Sequence, residues 1–389
     1  MKKLRIVVGG FIGLYPTGGV TWDYIQYVIG LQQLGHDVFY LEDTCQFPKF
    51  QSAGKEWNDP SDSIEYLKNT MEKFGLQNRW AYRDVASGNC FGMSLDKIKE
   101  ICRTADVFIN ISASTFLRDE YLAIPKRVLI DSDPMFTQVD YLTETGGKDP
   151  SGMKFILDNH NYHFSFGENI GQASCRIPLA GFNWHTTRQP ICIDCWNTIN
   201  PQKSNIISTV MNWSVRPDLI FDNENWGQKN IEFKKFIGIP KLFTDISFEI
   251  IITGLTDEKR NEIKAHGWNT LDPLKTITDT LSYKEFITTA MAEFSVAKHT
   301  YVKSNSGWFS CRSACYLAAG KPVIAQDTQW SKYIPTGNGL FAFTDTESII
   351  TSVNDLKENY MKHSKAAIEI AREYFDSNKI LNQLLEKIS

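Results

Sequence analysis

The chain has 389 residues. A single hydrophobic core rarely supports a chain of this length, so two domains are predicted. With 42% hydrophobic and 22% charged residues, the composition is that of a folded globular protein and excludes disordered and fibrous classes. The net charge of -4 supplies no overall positive field, so a nucleic-acid or lipid partner would need a local basic patch.

Hydropathy and cysteine usage bear on the compartment in which the protein works. No apolar stretch reaches the roughly 18 residues that span a bilayer, so no transmembrane segment is expected. The eight cysteines are scattered, and a chain of this size needs no disulfides to stabilise it. These features predict a cytoplasmic location.

The first half of the chain alternates apolar runs of strand length with amphipathic helices. Residues 4–8 read as a strand, 9–19 as a glycine-rich turn and 20–34 as a helix. Further strands are predicted at 38–41, 107–111, 127–130 and 163–166, with a helix at 95–103. Glycines at the first turn of a βαβ unit are typical of ligand-binding doubly wound sheets. The pattern predicts a Rossmann-like domain over residues 1–182.

Residues 183–204 interrupt this pattern with proline, tryptophan and polar residues, which predicts a linker. A second α/β alternation over 205–374 predicts another Rossmann-like domain. Its predicted strands are 206–211, 248–253, 268–271, 294–297, 322–325 and 340–343, and its predicted helices are 231–236, 283–290 and 310–319. The tail from 345 to 388 is predicted to be helical. Two such domains would form a cleft between them.

The stretch 293–333 carries the strongest chemical signal. A predicted strand leads into a Ser-Gly-Trp-Phe-Ser loop and then into a helix whose first turn has unpaired N–H groups, an arrangement that binds phosphate. The stretch has five basic and two acidic residues, so its local field suits an anion. An ordinary capped helix with solvated lysines is the alternative. The predicted nucleotide-binding residues here are Lys298, Ser306, Gly307, Trp308, Phe309, Ser310, Arg312 and Asp327.

Several motifs, in order along both halves, resemble GT-B glycosyltransferases of the group-1 or family-4-like set, which use nucleotide sugars. Ala318-Ala319-Gly320-Lys321-Pro322-Val323-Ile324-Ala325 is similar to the A-x-G-x-P-V-[IV]-A segment of that family. Gly18-Gly19-Val20 and Leu34-Gly35-His36-Asp37-Val38 are similar to its glycine loop and following turn, and Asn338-Gly339-Leu340 to a late N-G-x-L-like element.

The resemblance implies a GT-B fold, with two Rossmann-like parallel-sheet domains facing a cleft. The second domain would hold a nucleoside diphosphate sugar, with a UDP-sugar as the first choice, and Gly18 and Gly19 would add to donor binding. The first domain would hold the acceptor, and the last helix, within 375–389, would pack back on that domain. The cationic loop would stabilise the diphosphate, so neither a metal nor an organic cofactor is expected.

One departure from the family concerns a pair of glutamates that normally holds the sugar and ribose hydroxyls of the donor. In the family, one Glu stands eight residues before a second, which itself stands five residues before the G of G-x-P-V. Gly307 and Cys315 occupy these positions here. Ser306, Trp308, Ser310 and Arg312 would then have to bind the donor differently, and retention of stereochemistry is not implied.

Candidates for a general base come from the first half. Asp131 and Asp133 follow a predicted strand and superficially match the Asp-x-Asp of the GT-A class, but that class has a single nucleotide-binding domain. We expect Asp133 to face the acceptor, since Pro134 would fix the turn that presents it; an Asx turn is the alternative. His160 and Glu168 are the next candidates. A His-x-x-His pair provides too few ligands for zinc.

The sequence therefore predicts a hexosyltransferase that moves a sugar to a hydroxyl on a small molecule, a glycan or a modified nucleic acid. Three alternatives stay open. A non-catalytic nucleotide-sugar-binding protein would suit the missing glutamate pair. A sugar-nucleotide epimerase or hydrolase would share the architecture. A glycosyltransferase acting on modified DNA bases is disfavoured by the acidic net charge.

Overall fold

The computed structural model describes residues 2–196 and 204–389, which form two compact units. Unit 1 comprises Met1–Phe166, Pro178–Cys192 and Ser377–Ser389, and unit 2 comprises Gly167–Ile177 and Ile193–Asp376. No helix in the described ranges has both the length and the apolar character that crossing a membrane requires.

The strands are numbered along the chain. They are β1 (Arg5–Gly9), β2 (Asp37–Glu42), β3 (Trp80–Arg83), β4 (Cys90–Gly92), β5 (Val107–Ile111), β6 (Lys126–Asp131), β7 (Tyr162–Ser165), β8 (Trp184–Thr186), β9 (Ile206–Asn212), β10 (Leu219–Phe221), β11 (Glu224–Trp226), β12 (Ser247–Thr253), β13 (Trp268–Leu271), β14 (Ala292–Ser295), β15 (Val323–Gln326) and β16 (Leu340–Phe343).

The α-helices are numbered in the same way. They are α1 (Gly18–Gln33), α2 (Ser61–Lys73), α3 (Leu95–Thr104), α4 (Asp119–Leu122), α5 (Phe136–Thr143), α6 (Met153–Asp158), α7 (Ile193–Trp196), α8 (Lys229–Phe236), α9 (Asp257–Ala265), α10 (Pro273–Thr276), α11 (Thr280–Thr289), α12 (His299–Lys303), α13 (Cys311–Ala318), α14 (Thr346–Glu358), α15 (Tyr360–Tyr374) and α16 (Ser377–Lys387). Two short 3-10 helices cover Ile239–Leu242 and Trp330–Lys332.

The sheet of unit 1 has eight strands in the order β4-β3-β2-β1-β5-β6-β7-β8. All neighbouring strands are parallel except β3 and β4. The strand order runs outward from β1 in both directions, so the topological switch point lies between β1 and β5. In doubly wound sheets, ligands bind at the carboxyl ends of the strands at this point.

Apolar runs form the strands of unit 1 because a parallel sheet is covered on both faces. In β1, the side chains of Ile6, Val7 and Val8 are all fully buried. One face of the sheet packs against α3, α4 and α6 through a core cluster that includes Val7, Phe39, Ile98, Ile101, Phe108, Tyr121, Leu129, Ile156 and Leu157. This packing fixes the strand ends from which the loops of unit 1 begin.

The last helix of the chain belongs to unit 1. The side chains of Leu381, Leu384 and Leu385 on α16 are buried, and α16 packs against α1. The two helices approach closely at Gly30, where an added Cβ would lie 2.6 Å from Leu381 Cδ1 and 2.9 Å from Ser377 Cβ. The absence of a side chain at Gly30 therefore permits the contact between α1 and α16.

The sheet of unit 2 has six parallel strands in the order β13-β12-β9-β14-β15-β16. This is the 3-2-1-4-5-6 order of a dinucleotide-binding sheet, with its switch point between β9 and β14. Its core includes Ile207, Phe233, Phe236, Phe248, Ile250, Ile263, Trp268, Phe294, Ile324, Phe341, Ile349 and Val353. The predicted fold class, α/β with two doubly wound parallel-sheet units, is confirmed.

The compact units have bounds other than the predicted domains 1–182 and 205–374. Inside the predicted linker 183–204, Trp184–Thr186 pairs in parallel with β7 and becomes the eighth strand of unit 1. Gly167–Ile177 belongs to unit 2 although it directly follows unit 1 along the chain. The part of the predicted linker from 197 to 203 lies outside the described residues.

Candidate active site

The switch point of unit 2 places a lysine beside a loop that returns to the same edge of the sheet. Lys298 comes three residues after the end of β14, at the start of α12, and is half-buried. Its Nζ lies 5.3 Å from the centroid of the Tyr301 ring. The short helix α12 then leads into the loop formed by residues 304–310.

Hydrogen bonds fix the shape of the 304–310 loop. The buried Ser306 hydroxyl donates to the Tyr301 carbonyl oxygen and accepts from the Trp308 N–H, both at 3.1 Å. The Gly307 N–H donates to the Thr328 carbonyl oxygen at 2.8 Å. Gly307 has a φ of 73°, in the left-handed region that favours glycine. These contacts define the conformation of the loop without a ligand.

The loop ends at the amino terminus of α13. Ser310 occupies the N-cap position, and its side chain does not accept a hydrogen bond from the first turn. The first turn of a helix carries N–H groups that have no acceptor within the helix, and these groups attract anions. The Trp308 ring, 4.5 Å from the Tyr301 ring, borders the same loop. Ser306, Gly307, Trp308 and Ser310 thus lie together beside this helix end, and phosphate binding by them stays a prediction.

Two predicted nucleotide contacts have structural roles instead. Phe309 is 7% exposed and packs against Trp330 and Phe375, with ring centroids 5.1 and 5.2 Å away. The Asp327 carboxylate accepts hydrogen bonds from the Gln329 N–H at 2.8 Å and the Ser331 hydroxyl at 2.7 Å. Because these side chains are engaged in the core and in a turn, we leave both out of the proposed site.

Arg312 points into unit 2 rather than toward a ligand. Its guanidinium forms an ion pair with the fully buried Glu293 and donates to the Val210 carbonyl oxygen. It also donates to the Ser295 hydroxyl at 2.9 Å. Because this side chain neutralises a buried carboxylate on β14, we leave Arg312 out of the proposed site, and diphosphate binding by it stays a prediction.

The segment Gly167–Ile177 packs directly on the 304–310 loop. Asn169 donates through its backbone N–H to the Ser306 carbonyl oxygen at 3.0 Å and through Nδ2 to that of Asn305 at 2.9 Å. The Arg176 N–H donates to the Ser304 carbonyl oxygen at 2.9 Å, and the Tyr333 hydroxyl donates to Asn169 Oδ1 at 2.6 Å. No sequence pattern signals these contacts, because the partners stand more than 120 positions apart.

Glu168 lies beside the 304–310 loop of unit 2. A Cβ added at Gly307 would lie 3.2 Å from Glu168 Cβ and 2.8 Å from the Asn169 backbone nitrogen. A glutamate could therefore not occupy position 307. The side chain of Glu168, which belongs to another segment of the chain, begins beside that position. Glu168 itself is 9% exposed.

A buried glutamate organises the glycine-rich loop of unit 1. The Glu42 carboxylate, at the end of β2, accepts hydrogen bonds from the Gly13 N–H at 2.8 Å, the Leu14 N–H at 2.6 Å and the Tyr40 hydroxyl at 2.9 Å. Burial raises the pKa of Glu42 to about 7. Sequence reasoning missed this residue, although an acidic residue directly after the apolar run 38–41 was a usable signal.

Gly18 and Gly19 form the first turn of α1, at the carboxyl end of β1. The N-cap residue Thr17 does not cap the helix with its side chain. The first turn of this 16-residue helix therefore presents backbone N–H groups at the switch point of unit 1. The two glycines occupy the place that the sequence predicted, and donor binding by them stays a prediction.

The Asp-x-Asp pair sits at the carboxyl end of β6, where its two members differ. Asp131 is buried and accepts hydrogen bonds from Thr137 Oγ1 and Ser165 Oγ, both at 2.7 Å, and from Gln138 Nε2 at 2.8 Å. It also accepts from the Asp133 N–H at 3.1 Å, which is the predicted Asx turn. Asp133 is half-buried on the turn that Asp131 fixes.

His160 lies at the opposite edge of the sheet of unit 1. It precedes β7, and the neighbouring Asn161 N–H donates to the carbonyl oxygen of Arg127 near the start of β6. The His160 ring is buried, its Nδ1 is 2.6 Å from the Ile156 carbonyl oxygen, and burial lowers its pKa to about 3. The ring is therefore buried far from the carboxyl edge, where Asp131 and Asp133 lie, and we leave His160 out of the proposed site.

No protein-family model matches the sequence, and a search of curated proteins finds no match. Solved structures do match over the full length. An α-glucosyltransferase bound to UDP and a 13-mer DNA with a central A:G mismatch has a TM-score of 0.63 at 12% identity, covering 99% of this chain and 100% of that chain.

Two further structures match at similar levels. Anabaena Alr3699/HepE in complex with UDP and glucose has a TM-score of 0.56 at 11% identity and covers 99% of both chains. A glycosyltransferase from Rickettsia africae ESF-5 has a TM-score of 0.54 at 12% identity, covering 100% of this chain and 98% of that chain. The chain therefore has the fold of GT-B glycosyltransferases, as its motifs indicated, and at this identity the likeness establishes the fold alone.

Proposed function

We propose that the protein transfers a hexose from a UDP-hexose to an acceptor hydroxyl. The observation that carries this proposal is the 304–310 loop, which runs into the amino terminus of α13 next to the switch point of unit 2. The match of the whole chain to glycosyltransferases that bind UDP supports the choice of donor. The ordered loop and the uncapped helix amides would hold the diphosphate.

In this reaction the bond between the sugar anomeric carbon and the diphosphate oxygen breaks, and a bond from the acceptor oxygen forms. Negative charge develops on the departing UDP, and Lys298 with the first-turn N–H groups of α13 would stabilise it without reorganising. We propose a metal-independent reaction on the strength of these cationic and N–H groups. A cytoplasmic location likewise remains our proposal, supported by the scattered cysteines.

Glu168 would contact the sugar of the donor. Its side chain begins beside Gly307, so its carboxylate is carried on the border of the diphosphate loop. Carboxylate oxygens accept hydrogen bonds from sugar hydroxyls, and such bonds are stronger than those between neutral groups. Glu168 would thereby supply, from a different segment, the acidic group that is absent at position 307.

Asp133 is the proposed general base. It lies at the carboxyl edge of unit 1, and the turn that presents it is held by Asp131. The acceptor hydroxyl would lose its proton to the Asp133 carboxylate as its oxygen attacks the anomeric carbon. Asp133→Asn should leave UDP affinity unchanged and lower transfer roughly a hundredfold or more.

The donor site is tested by calorimetry with UDP, GDP and UDP-glucose. Lys298→Ala should weaken UDP binding by about 1.5 to 3 kcal/mol, the range for a charge-assisted hydrogen bond. Lys264→Ala is the matched control, because this exposed lysine of α9 precedes β13 at the other edge of the sheet. Wild-type protein that binds none of the three nucleotides would disprove the proposed function.

Glu168→Gln separates sugar contacts from nucleotide contacts. If Glu168 holds the hexose, this variant binds UDP with wild-type affinity but binds UDP-glucose at least tenfold more weakly. Equal losses for both ligands would instead mean that Glu168 only supports the loop. Glu285→Gln, in α11 of the same unit, is a control for the change of charge.

A further inference from the structure

The exposed aromatic side chains of the protein are concentrated in one place. Tyr15, Phe47, Phe50 and Trp57 are 40%, 37%, 39% and 64% exposed, and every other Phe, Tyr and Trp in the two described ranges is less exposed. We call these four residues the aromatic rim. Large exposed apolar groups that cluster in this way mark binding surfaces.

The aromatic rim lies beyond the carboxyl ends of two neighbouring strands of unit 1. Tyr15 is in the glycine-rich loop that follows β1, and the other three residues are in the loop that follows β2. The two loops touch where the Lys49 N–H donates to the Leu14 carbonyl oxygen at 3.4 Å. This is the edge of the sheet at which doubly wound folds bind ligands.

Side-chain contacts hold the loop that carries Phe47, Phe50 and Trp57. Asp62, in the first turn of α2, accepts hydrogen bonds from the Ser52 N–H and the Lys55 Nζ at 2.6 Å and from the Ser52 hydroxyl at 2.7 Å. The Phe47 and Trp57 rings pack edge to face with centroids 4.6 Å apart. The two rings therefore pack on each other while both stay partly exposed.

The charges around the rim are balanced. Lys49 and Lys55 are matched in the same loop by Glu56 and Asp59, and Lys55 is already paired with Asp62. Bases stack on aromatic side chains in grooves that are strongly positive, and anionic membranes also require clustered basic residues. A neutral ligand with an apolar face suits the rim better. Sugar rings have this chemistry, because their C–H faces pack on aromatic rings while their hydroxyls bond to polar groups.

We propose that the aromatic rim binds a sugar ring of the acceptor, which makes the acceptor a glycan or a glycoside. The inference rests on the proposed transfer reaction and names the substrate class of its acceptor side. Trp57 provides most of the stacking surface, because it is the most exposed member of the rim. The rim is a positioning surface, and proton transfer is left to other groups.

The test begins with wild-type protein, UDP-glucose and a glycan array, alongside a DNA duplex that contains hydroxymethylated pyrimidines. We expect transfer to a subset of the glycans and none to the duplex. Transfer to the duplex alone, or to no glycan on the array, would overturn the inference while leaving the proposed transferase activity intact. Failure to bind UDP and UDP-glucose would instead overturn the proposed function.

Variants of the rim locate the binding surface. With a glycan acceptor from the array, Trp57→Ala should raise the acceptor KM at least tenfold, while the affinity for UDP stays within twofold of wild type. Trp57→Phe keeps a ring and should recover most of the loss. Leu179→Ala is the control, since Leu179 is exposed in unit 1 but precedes β8 at the other edge. An unchanged KM in Trp57→Ala would show that the acceptor binds elsewhere.

Discussion

Glu42 combines complete burial with hydrogen bonds that favour its charged form. Burial is the larger effect and raises its pKa to about 7, from 4.5 for an ordinary glutamate. The folded protein thus binds a proton at this site between about pH 4.5 and 7, whereas the unfolded chain does not. Ionisation of Glu42 therefore opposes folding as the pH rises through this window.

We predict that the free energy of unfolding falls as the pH rises from 4.5 to 7 and that this contribution is constant above pH 7. The pKa difference corresponds to on the order of 3 kcal/mol. Glu42→Gln keeps an acceptor oxygen for one of the two loop amides, cannot ionise, and should remove most of this decline. Urea unfolding at several pH values measures the effect, and an identical decline in the variant would assign it to another group.

The pair of Arg312 and Glu293 gives a second prediction. Removing one member of a buried ion pair leaves an uncompensated charge, so Arg312→Ala should cost about 3 to 5 kcal/mol of unfolding free energy. Arg312→Met combined with Glu293→Leu should cost less than Arg312→Ala alone. Urea denaturation measures the stability of each variant, and calorimetry measures its affinity for UDP. Normal stability with weakened UDP binding would mean that Arg312 contacts the diphosphate after all.

Sequence reasoning placed the 304–310 loop because glycine and serine before a helix are local signals. It did not foresee the contacts of Phe309 and Arg312, since their partners lie on distant segments, whereas the partners of Asp327 are only two and four residues away. Whether a side chain faces the core or a ligand depends on tertiary packing, which no local pattern records. Glu168 was selected as acidic, but its neighbour Gly307 is 139 positions away and could not be inferred.

Among the secondary-structure elements, the contact between α1 and α16 depends on Gly30. Alanine is favoured over glycine inside a helix by about 1 kcal/mol. At Gly30 the added methyl group would meet Leu381 and Ser377, so we predict that Gly30→Ala destabilises the protein by about 1 to 3 kcal/mol.

Gly238→Ala is the matched control for this prediction, because no atom lies within 4 Å of an added Cβ at that glycine. Thermal unfolding of both variants measures the difference. A gain of stability in Gly30→Ala would show that the two helices separate without cost.

Most of the apolar strands and the helices α1, α3, α8, α11 and α13 were predicted to within a few residues, whereas α2, α9 and β3 were not predicted. The strands Val107–Ile111, Trp268–Leu271 and Leu340–Phe343 have the bounds that the sequence indicated. The short strands β4 and β8 were missed because three residues carry almost no periodicity, and their pairing depends on β3 and β7. Such elements are fixed by neighbouring strands more than by their own composition.

For the molecule as a whole, the order of segments predicts which fragments fold. Unit 1 needs Ser377–Ser389 to cover α1, and the Ser377 N–H donates to the Ile191 carbonyl oxygen at 2.9 Å. Residues 1–192 joined to 377–389 by a short Gly-Ser linker should therefore unfold cooperatively in urea. Residues 1–192 alone should not. Equally cooperative urea transitions for the two fragments would show that unit 1 folds without the C-terminal helix.

The close approach of Ile191 and Ser377 also has an evolutionary meaning. Most of unit 2 is inserted into the chain of unit 1 between these two residues, which lie side by side. An insertion of this kind can be exchanged between related genes by two crossovers. That exchange would not include Gly167–Ile177. The new 304–310 loop would then pack against a 167–177 segment from the other parent. A chimaera designed to change donor preference should therefore transplant both pieces of unit 2, so that 167–177 comes from the same parent as the loop it supports.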